Sequence, residues 1–146
     1  PKPVQRPRPP VICGGGGPKR TPRLAARFAD EFNTPFLSPA DAEAQFARVR
    51  EACEAAGRDP GTMTMSSALV VCCGEDDATV ARRAEAMGWS VDDLRTYGAC
   101  GSPDEVAEAI GRWRDAGAER AYLQILDPRD LDHLRLIGRE VAPQLA

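Results

Sequence analysis

Four consecutive glycines, Gly14, Gly15, Gly16 and Gly17, followed by Pro18, Lys19, Arg20 and Thr21, form the most chemically suggestive stretch of this 146-residue chain. They lie between a short apolar run (Val11, Ile12, Cys13) and a helix opening at Thr21 and Pro22. Bare backbone at a strand-to-helix junction leaves amide N–H groups free to converge on an anion, with the positive end of the helix dipole behind them. Lys19 adds a charge, Arg20 a bidentate fork and Thr21 a hydroxyl, a donor set suited to a phosphate. Cations at a helix start oppose the dipole unless an anion sits between them. Gly14, Gly15, Gly16, Gly17, Lys19, Arg20 and Thr21 are therefore the expected ligands of a phosphate. The bland alternative is a flexible turn, which forfeits about 0.5–1 kcal/mol per glycine relative to alanine.

Two common nucleotide motifs are excluded. A Walker loop needs Gly-Lys-Ser/Thr after its spacer, but Pro18 separates Gly17 from Lys19, and Arg20 precedes Thr21. The dinucleotide fingerprint needs a third glycine where Lys19 stands.

Other residues carry weaker signals. Asn33 and Thr34 end a short strand (Glu31, Phe32, Asn33, Thr34) and are candidates for a substrate or cofactor-tail contact. His133 is the one histidine, with no cysteine at ligand spacing, so no zinc site is expected and a surface helix position is. Cys13, Cys53, Cys72, Cys73 and Cys100 show no C-x-x-C spacing and read as small buried thiols, Cys72 and Cys73 pointing to opposite faces of a strand. Trp89, Trp113 and Tyr97 are isolated aromatics of a core or interface, not an interleaved nucleic-acid surface. Gln124 and Asp127 close the last strand, Asp127 reading as a helix cap.

The elements that position these residues follow from pattern. Residues 1–10 are half proline and read as an extended lead-in that cannot pair centrally. Leu24, Ala25, Phe28 and Ala29 recur at helical spacing, with Thr21 as cap and Pro22 at the first helical position. Ser38, Pro39 and Asp41 start a second helix carrying Ala42, Phe46, Val49, Cys53 and Ala56 inward and stopping at Gly57. The apolar run within residues 63–73 reads as a strand buried on both faces, as parallel sheets require. A helix follows through Val80, Ala84 and Met87 to Gly88, then a short one from Ser90. Ser102 with Glu105 is a capping box ahead of Val106, Ala109, Ile110 and Trp113. Residues 120–126 form the last strand, and a terminal helix carries Leu131, Leu134, Ile137 and Val141 inward. Strands separated by helices throughout specify parallel pairing with right-handed crossovers.

Net charge of −3 and a pI near 5.2 leave no basic field for nucleic acid or an anionic membrane. The basic residues cluster locally (Lys2, Arg6, Arg8, Lys19, Arg20, Arg23, Arg27), which fits one anionic ligand better than a polymer. No apolar run approaches the ~20 residues of a bilayer span, and a cytoplasmic location is expected.

Pro9-Pro10-Val11-Ile12-Cys13-Gly14-Gly15-Gly16-Gly17, then Arg20-Thr21, then Leu24-Ala25-Ala26-Arg27-Phe28-Ala29-Asp30-Glu31-Phe32-Asn33 resembles the segment around the fifth strand of luciferase-like monooxygenases, closest to the coenzyme F420-dependent branch. Gly57-Arg58-Asp59-Pro60, Gly101-Ser102-Pro103-Asp104-Glu105-Val106, Asp115-Ala116-Gly117-Ala118 and Tyr122-Leu123-Gln124 are similar to later landmarks of that family, in order. The resemblance implies an α/β fold that is the C-terminal half, units five to eight, of a (β/α)8 TIM barrel over residues 11–146. It also implies F420, or alternatively FMN, with its phosphate on the glycine loop, and hydride transfer to or from a small organic substrate. Pro22 departs from the hydrophobic residue that the family pattern leads one to expect. A half-barrel exposes two sheet edges, so a homodimer or a missing N-terminal half-barrel is the expected partner. The alternative is a non-catalytic half-barrel that binds a phosphorylated ligand or serves as an assembly module. No catalytic acid or base is assigned.

Overall fold

The computed structural model describes residues 2–145. Five strands, β1 (Ile12–Gly14), β2 (Glu31–Pro35), β3 (Thr64–Cys73), β4 (Ala99–Gly101) and β5 (Arg120–Gln124), alternate with six helices. α1 (Arg20–Phe28) follows β1, α2 (Pro39–Ala55) follows β2, and α3 (Asp77–Met87) with α4 (Val91–Tyr97) follows β3. α5 (Pro103–Asp115) follows β4 and α6 (Leu131–Leu136) follows β5. All pairings are parallel, as the alternation of elements requires. β4 is an addition to the expected order; three residues are too short for any periodic signal.

β3 organises the sheet. Its residues 64–68 pair with β2, residues 66–70 with β5, and residues 71–73 with β4, so its C-terminal end projects beyond the other long pairings. β1 and β5 each pair with a single neighbour, and they form the two open edges of a four-strand run, β1-β2-β3-β5.

Residue alternation sorts the two faces. Phe32, Met65, Leu69, Val71 and Cys73 point to the helix layer, where they pack with Ala25, Phe46, Val49, Val106 and Trp113. Phe32 meets Phe46 edge to face at 6.4 Å between ring centres. On the opposite face, α3 and α4 cover Val70 and Cys72 through Val80, Ala84 and Leu94. Ile12 and Tyr122 are exposed on that same face.

Local chemistry accounts for most boundaries. Ser38, Asp76, Ser90 and Ser102 each accept a backbone N–H at a helix start, and Ser102 with Glu105 completes the capping box expected there. Gly88 ends α3 in the left-handed conformation at φ 74°. The lead-in is anchored: Arg8 pairs with Asp30, whose Oδ2 also accepts from the Val11 amide at 2.7 Å.

Several expectations are corrected. α1 begins at Arg20 behind Lys19, so Thr21 lies inside the helix and makes no cap bond. The last strand ends at Gln124, two residues short of the expected end. α6 is capped by Asp130 accepting from the His133 amide, while Asp127 only holds a turn through Arg129. The terminal helix loosens after Leu136 into a π turn (Ile137–Val141) and then tightens into a 3-10 turn (Ala142–Leu145). In α6 and the turns after it, Leu131 and Leu134 face outward, and His133, Leu136, Ile137 and Val141 face in. Tyr97 is exposed, Trp89 is half-buried against Phe36, and Trp113 is buried with its indole N–H on Leu37 O at 3.1 Å.

Candidate functional site

The glycine loop leaves β1 at the C-terminal rim of the sheet, where α/β folds place ligands. Gly15 N donates to Asn33 O at 3.2 Å, which ties the loop to the neighbouring strand. Gln45, buried on α2, donates from Nε2 to Gly15 O at 3.2 Å and to Gly17 O at 3.0 Å. Its Oε1 accepts from Arg48 at 2.9 Å, so the amide is oriented as well as buried. Two loop carbonyls are thus held by one side chain, and Gly16 N and Gly17 N have no internal acceptor among the described residues. Gln45 was not foreseen; the available signal was a polar residue adjacent to Phe46 on a face otherwise made of Ala42, Phe46, Val49 and Cys53.

The glycines differ in why they are glycine. Gly15 has φ +139°, a conformation that side chains rarely adopt. A Cβ on Gly17 would lie 3.0 Å from Thr21 Oγ1, and one on Gly14 3.2 Å from Asn33 O. A Cβ on Gly16 would meet only Leu37 Cδ2, at an ordinary 3.8 Å. The Thr21 hydroxyl therefore packs against the loop from the first turn of α1. That turn has no acidic residue and no side-chain cap. Lys19 and Arg20 are exposed and take part in no ion pair among the described residues. Free amides, an uncapped helix start and two unpaired cations are a donor set that fits a phosphate. Beside α1 a cleft of about 770 Å³ is lined by Arg20, Arg23, Leu24, Arg27, Phe28 and Ala52. Of the expected phosphate ligands, Arg20 alone reaches it.

Asn33 and Thr34 point to opposite faces. Asn33 is half-buried, with Nδ2 donating to Ser66 Oγ at 3.0 Å. Thr34 is 1 % exposed, and its hydroxyl is shared with Ser67 Oγ at 2.8 Å. The expected contact of Thr34 is corrected on that ground: its hydroxyl is consumed inside the sheet.

A second polar constellation, at the end of β3, was missed. His133 is buried, not on the surface, and its Nε2 accepts from the Cys73 amide at 2.9 Å. That nitrogen carries no proton, and burial, reinforced by Arg83, holds the ring's pKa below the ordinary histidine value. Arg83 donates to both oxygens of Asp130, at 2.7 and 3.1 Å, and to Cys73 O at 2.7 Å. The hydrogen bonds from Arg83 hold Asp130 down at about 2. Arg83, Asp130 and His133 Nε2 are each bonded within the cluster or to Cys73, so the cluster is a strut joining β3, α3 and α6. The signals were Asp130 three residues before His133, and Arg83 beside Val80 and Ala84 on one helical stripe. Among the described residues no group of three or more His, Cys, Asp or Glu is placed to hold a metal ion. No helix among them is long and apolar enough to cross a membrane.

The family model described as luciferase-like monooxygenase matches residues 1–92, a span that takes in the proline-rich lead-in. Solved structures share the fold. The coenzyme F420-dependent tetrahydromethanopterin reductase of Methanopyrus kandleri is 17% identical with a TM-score of 0.76, over 94% of this chain and 51% of that one. EDTA monooxygenase from Chelativorans sp. BNC1 is 25% identical with a TM-score of 0.71, over 99% of this chain and 46% of that one. The oxygenating constituent of 3,6-diketocamphane monooxygenase of Pseudomonas putida, solved in complex with FMN, is 19% identical with a TM-score of 0.66, over 95% and 50%. The chain spans about half the length of each of these proteins. No curated protein matches it. The α/β architecture is accordingly that of about half of a luciferase-like TIM barrel.

Proposed function

The chain belongs to the luciferase-like monooxygenase family, and on that premise we propose that it is the phosphate-holding half of an oxidoreductase. The reaction is hydride transfer between coenzyme F420, or alternatively FMN, and a small organic substrate. One observation carries the reading: Gln45 ties down the carbonyls of Gly15 and Gly17, and the amides of Gly16 and Gly17 are left without an internal partner. Gly16 and Gly17 are exposed, so water covers their amides in the free protein and a phosphate can take its place.

When bound, the ring of the cofactor supplies the hydride chemistry, and the protein supplies binding, orientation and electrostatics. Gly16 N and Gly17 N, with the start of α1, receive the phosphate. Lys19 and Arg20 neutralise it, and Thr21 adds a hydroxyl from beneath the loop. Gly14 and Gly15 let the backbone leave β1 at the required angle. Asn33, on the open face, is the candidate for a substrate or cofactor-tail contact.

The single-neighbour strands β1 and β5, with exposed Ile12 on β1 and exposed Tyr122 on β5, support a partner that completes the barrel. That partner is a second copy or an N-terminal half-barrel. The same open edges favour the second reading, a non-catalytic half-barrel that binds a phosphorylated ligand or acts as an assembly module.

The test is fluorescence titration of purified protein with F420 and, separately, FMN, with inorganic phosphate as competitor. Saturable binding of one cofactor is expected, and Gly16→Asp is expected to abolish it by placing a carboxylate beside the phosphate. Gly16 has room for a side chain, so the variant's thermal unfolding should match the parent's. Equal binding by Gly16→Asp overturns the loop assignment. Binding of phosphate but of neither cofactor, with the missing barrel half supplied, overturns the oxidoreductase and supports the alternative.

A further inference from the structure

The five cysteines are free, and two of them come together only in the fold. Cys72 of β3 stands directly opposite Cys100 of β4 in parallel register. Neighbouring strands lie about 4.8 Å apart, within the roughly 4.4–6.8 Å of Cα separation that a disulfide spans. Alternation puts both side chains on the same face, in one buried cluster with Val70, Val80, Ala84 and Leu94. Cys73 points the other way, into the core with Leu69 and Val71. Cys13 sits on β1 and Cys53 on α2, away from this cluster.

The two thiols also differ. The Cys72 thiol donates to Val80 O at 3.5 Å, and its closeness to Cys100, reinforced by Arg95, holds Cys100 more acidic than an ordinary thiol. The neighbouring Cys100, with burial, pushes Cys72 up. The cover over them is thin: Cys100 is 5% exposed, and the flanking Met87, Trp89 and Val91 are only half-buried.

We propose that Cys72 and Cys100 are a reversible dithiol–disulfide pair, oxidised by hydrogen peroxide. The Cys100 thiolate attacks one peroxide oxygen and the O–O bond breaks. The departing hydroxide takes up a proton and leaves as water, and Cys100 becomes a sulfenic acid. The Cys72 sulfur then attacks the sulfenic sulfur. An S–S bond forms, the S–O bond breaks, and the thiol proton leaves with the hydroxyl as a second water. The two sulfurs lose two electrons in total, which reduce one peroxide to two waters, and an added dithiol reverses the bond by exchange. Oxidation fastens the end of β3 to β4, immediately before Ser102 caps α5. The inference stands on sulfur placement and is independent of the cofactor reading.

The experiment treats the full chain with equimolar hydrogen peroxide, then denatures it, alkylates it with iodoacetamide and measures intact mass and a proteolytic peptide map. Five adducts on the untreated chain should fall to three, two thiols having been consumed. One linked peptide pair should join Cys72 to Cys100, and dithiothreitol should restore full alkylation. The Cys73→Ser variant should form the same link. Retention of all five adducts, sulfinic acid without a link, or a bond involving Cys13, Cys53 or Cys73 overturns the proposal. The map of the unmutated chain decides the matter even if a variant fails to fold.

Discussion

Two polar regions sit at the C-terminal ends of strands, and they treat their hydrogen-bonding groups in opposite ways. At the end of β3, Arg83, Asp130 and His133 are largely buried, and their polar atoms are turned on one another and on both backbone groups of Cys73. At the end of β1, the glycine loop is exposed, held from behind by Gln45, and keeps two amides and two cations unpaired among the described residues. A polar cluster that satisfies itself stabilises the fold and has nothing left for a ligand. A loop anchored through its carbonyls, with its donors free, has the opposite character. Residue type alone already favoured the glycines over the lone histidine, and the hydrogen bonds add that the histidine is spent on Cys73.

The largest effect that tests this contrast is expected on binding, where Gly16→Asp abolishes cofactor affinity without loss of stability, as set out above. On stability, the largest is expected from Arg83→Met. It leaves Asp130 charged and poorly solvated and Cys73 O unpartnered, and should cost about 3 kcal/mol in urea unfolding. A change within about 0.5 kcal/mol would remove the strut interpretation, since only surface sites behave that way.

His133→Leu comes next, at about 2 kcal/mol, because it strands the buried Cys73 amide. It should also change the pH profile. In the parent, a histidine held below its ordinary pKa stays neutral when folded and takes a proton when unfolded. Stability therefore falls as pH drops below about 6.5. Asp130, held at about 2, adds a second loss as pH falls from the ordinary carboxylate range towards that value. His133→Leu should erase the first decline and keep the second. A variant that retains both would show that another group titrates.

The smallest effect separates two glycines of the loop. Gly15→Ala should destabilise by about 1 kcal/mol, because its positive φ strains any side chain. Gly16→Ala should be neutral within about 0.5 kcal/mol. Equal losses at both positions would mean that the loop's glycines serve the fold alone.

Apart from the three-residue β4, the order of strands and helices was legible because it rests on local patterns: the apolar run ending in Cys72 and Cys73, the caps at Ser38 and Ser102, the stops at Gly57, Gly88 and Gly117. The loop's composition was equally visible. Burial of single polar residues was not, because a histidine or arginine on an otherwise apolar stripe is read as snorkelling to water unless its partner is known. His133 finds its partner 60 residues away at Cys73, and Arg83 finds Asp130 at a separation of 47. Thr34 was misplaced for a related reason, since a strand's period assigns it a face but does not say that Ser67 waits there.

What one-dimensional information settled was the α/β alternation and the parallel pairing it entails, consequences of backbone stereochemistry and short-range spacing; it also marked residues 14–21 as the stretch proposed to hold an anion. What required three dimensions was the pairing of distant groups: Gln45 under the loop, Cys72 beside Cys100, and His133 against Cys73. Those contacts join segments whose separation along the chain carries no periodic trace, and only the packing of helices on a common sheet brings them within hydrogen-bonding reach.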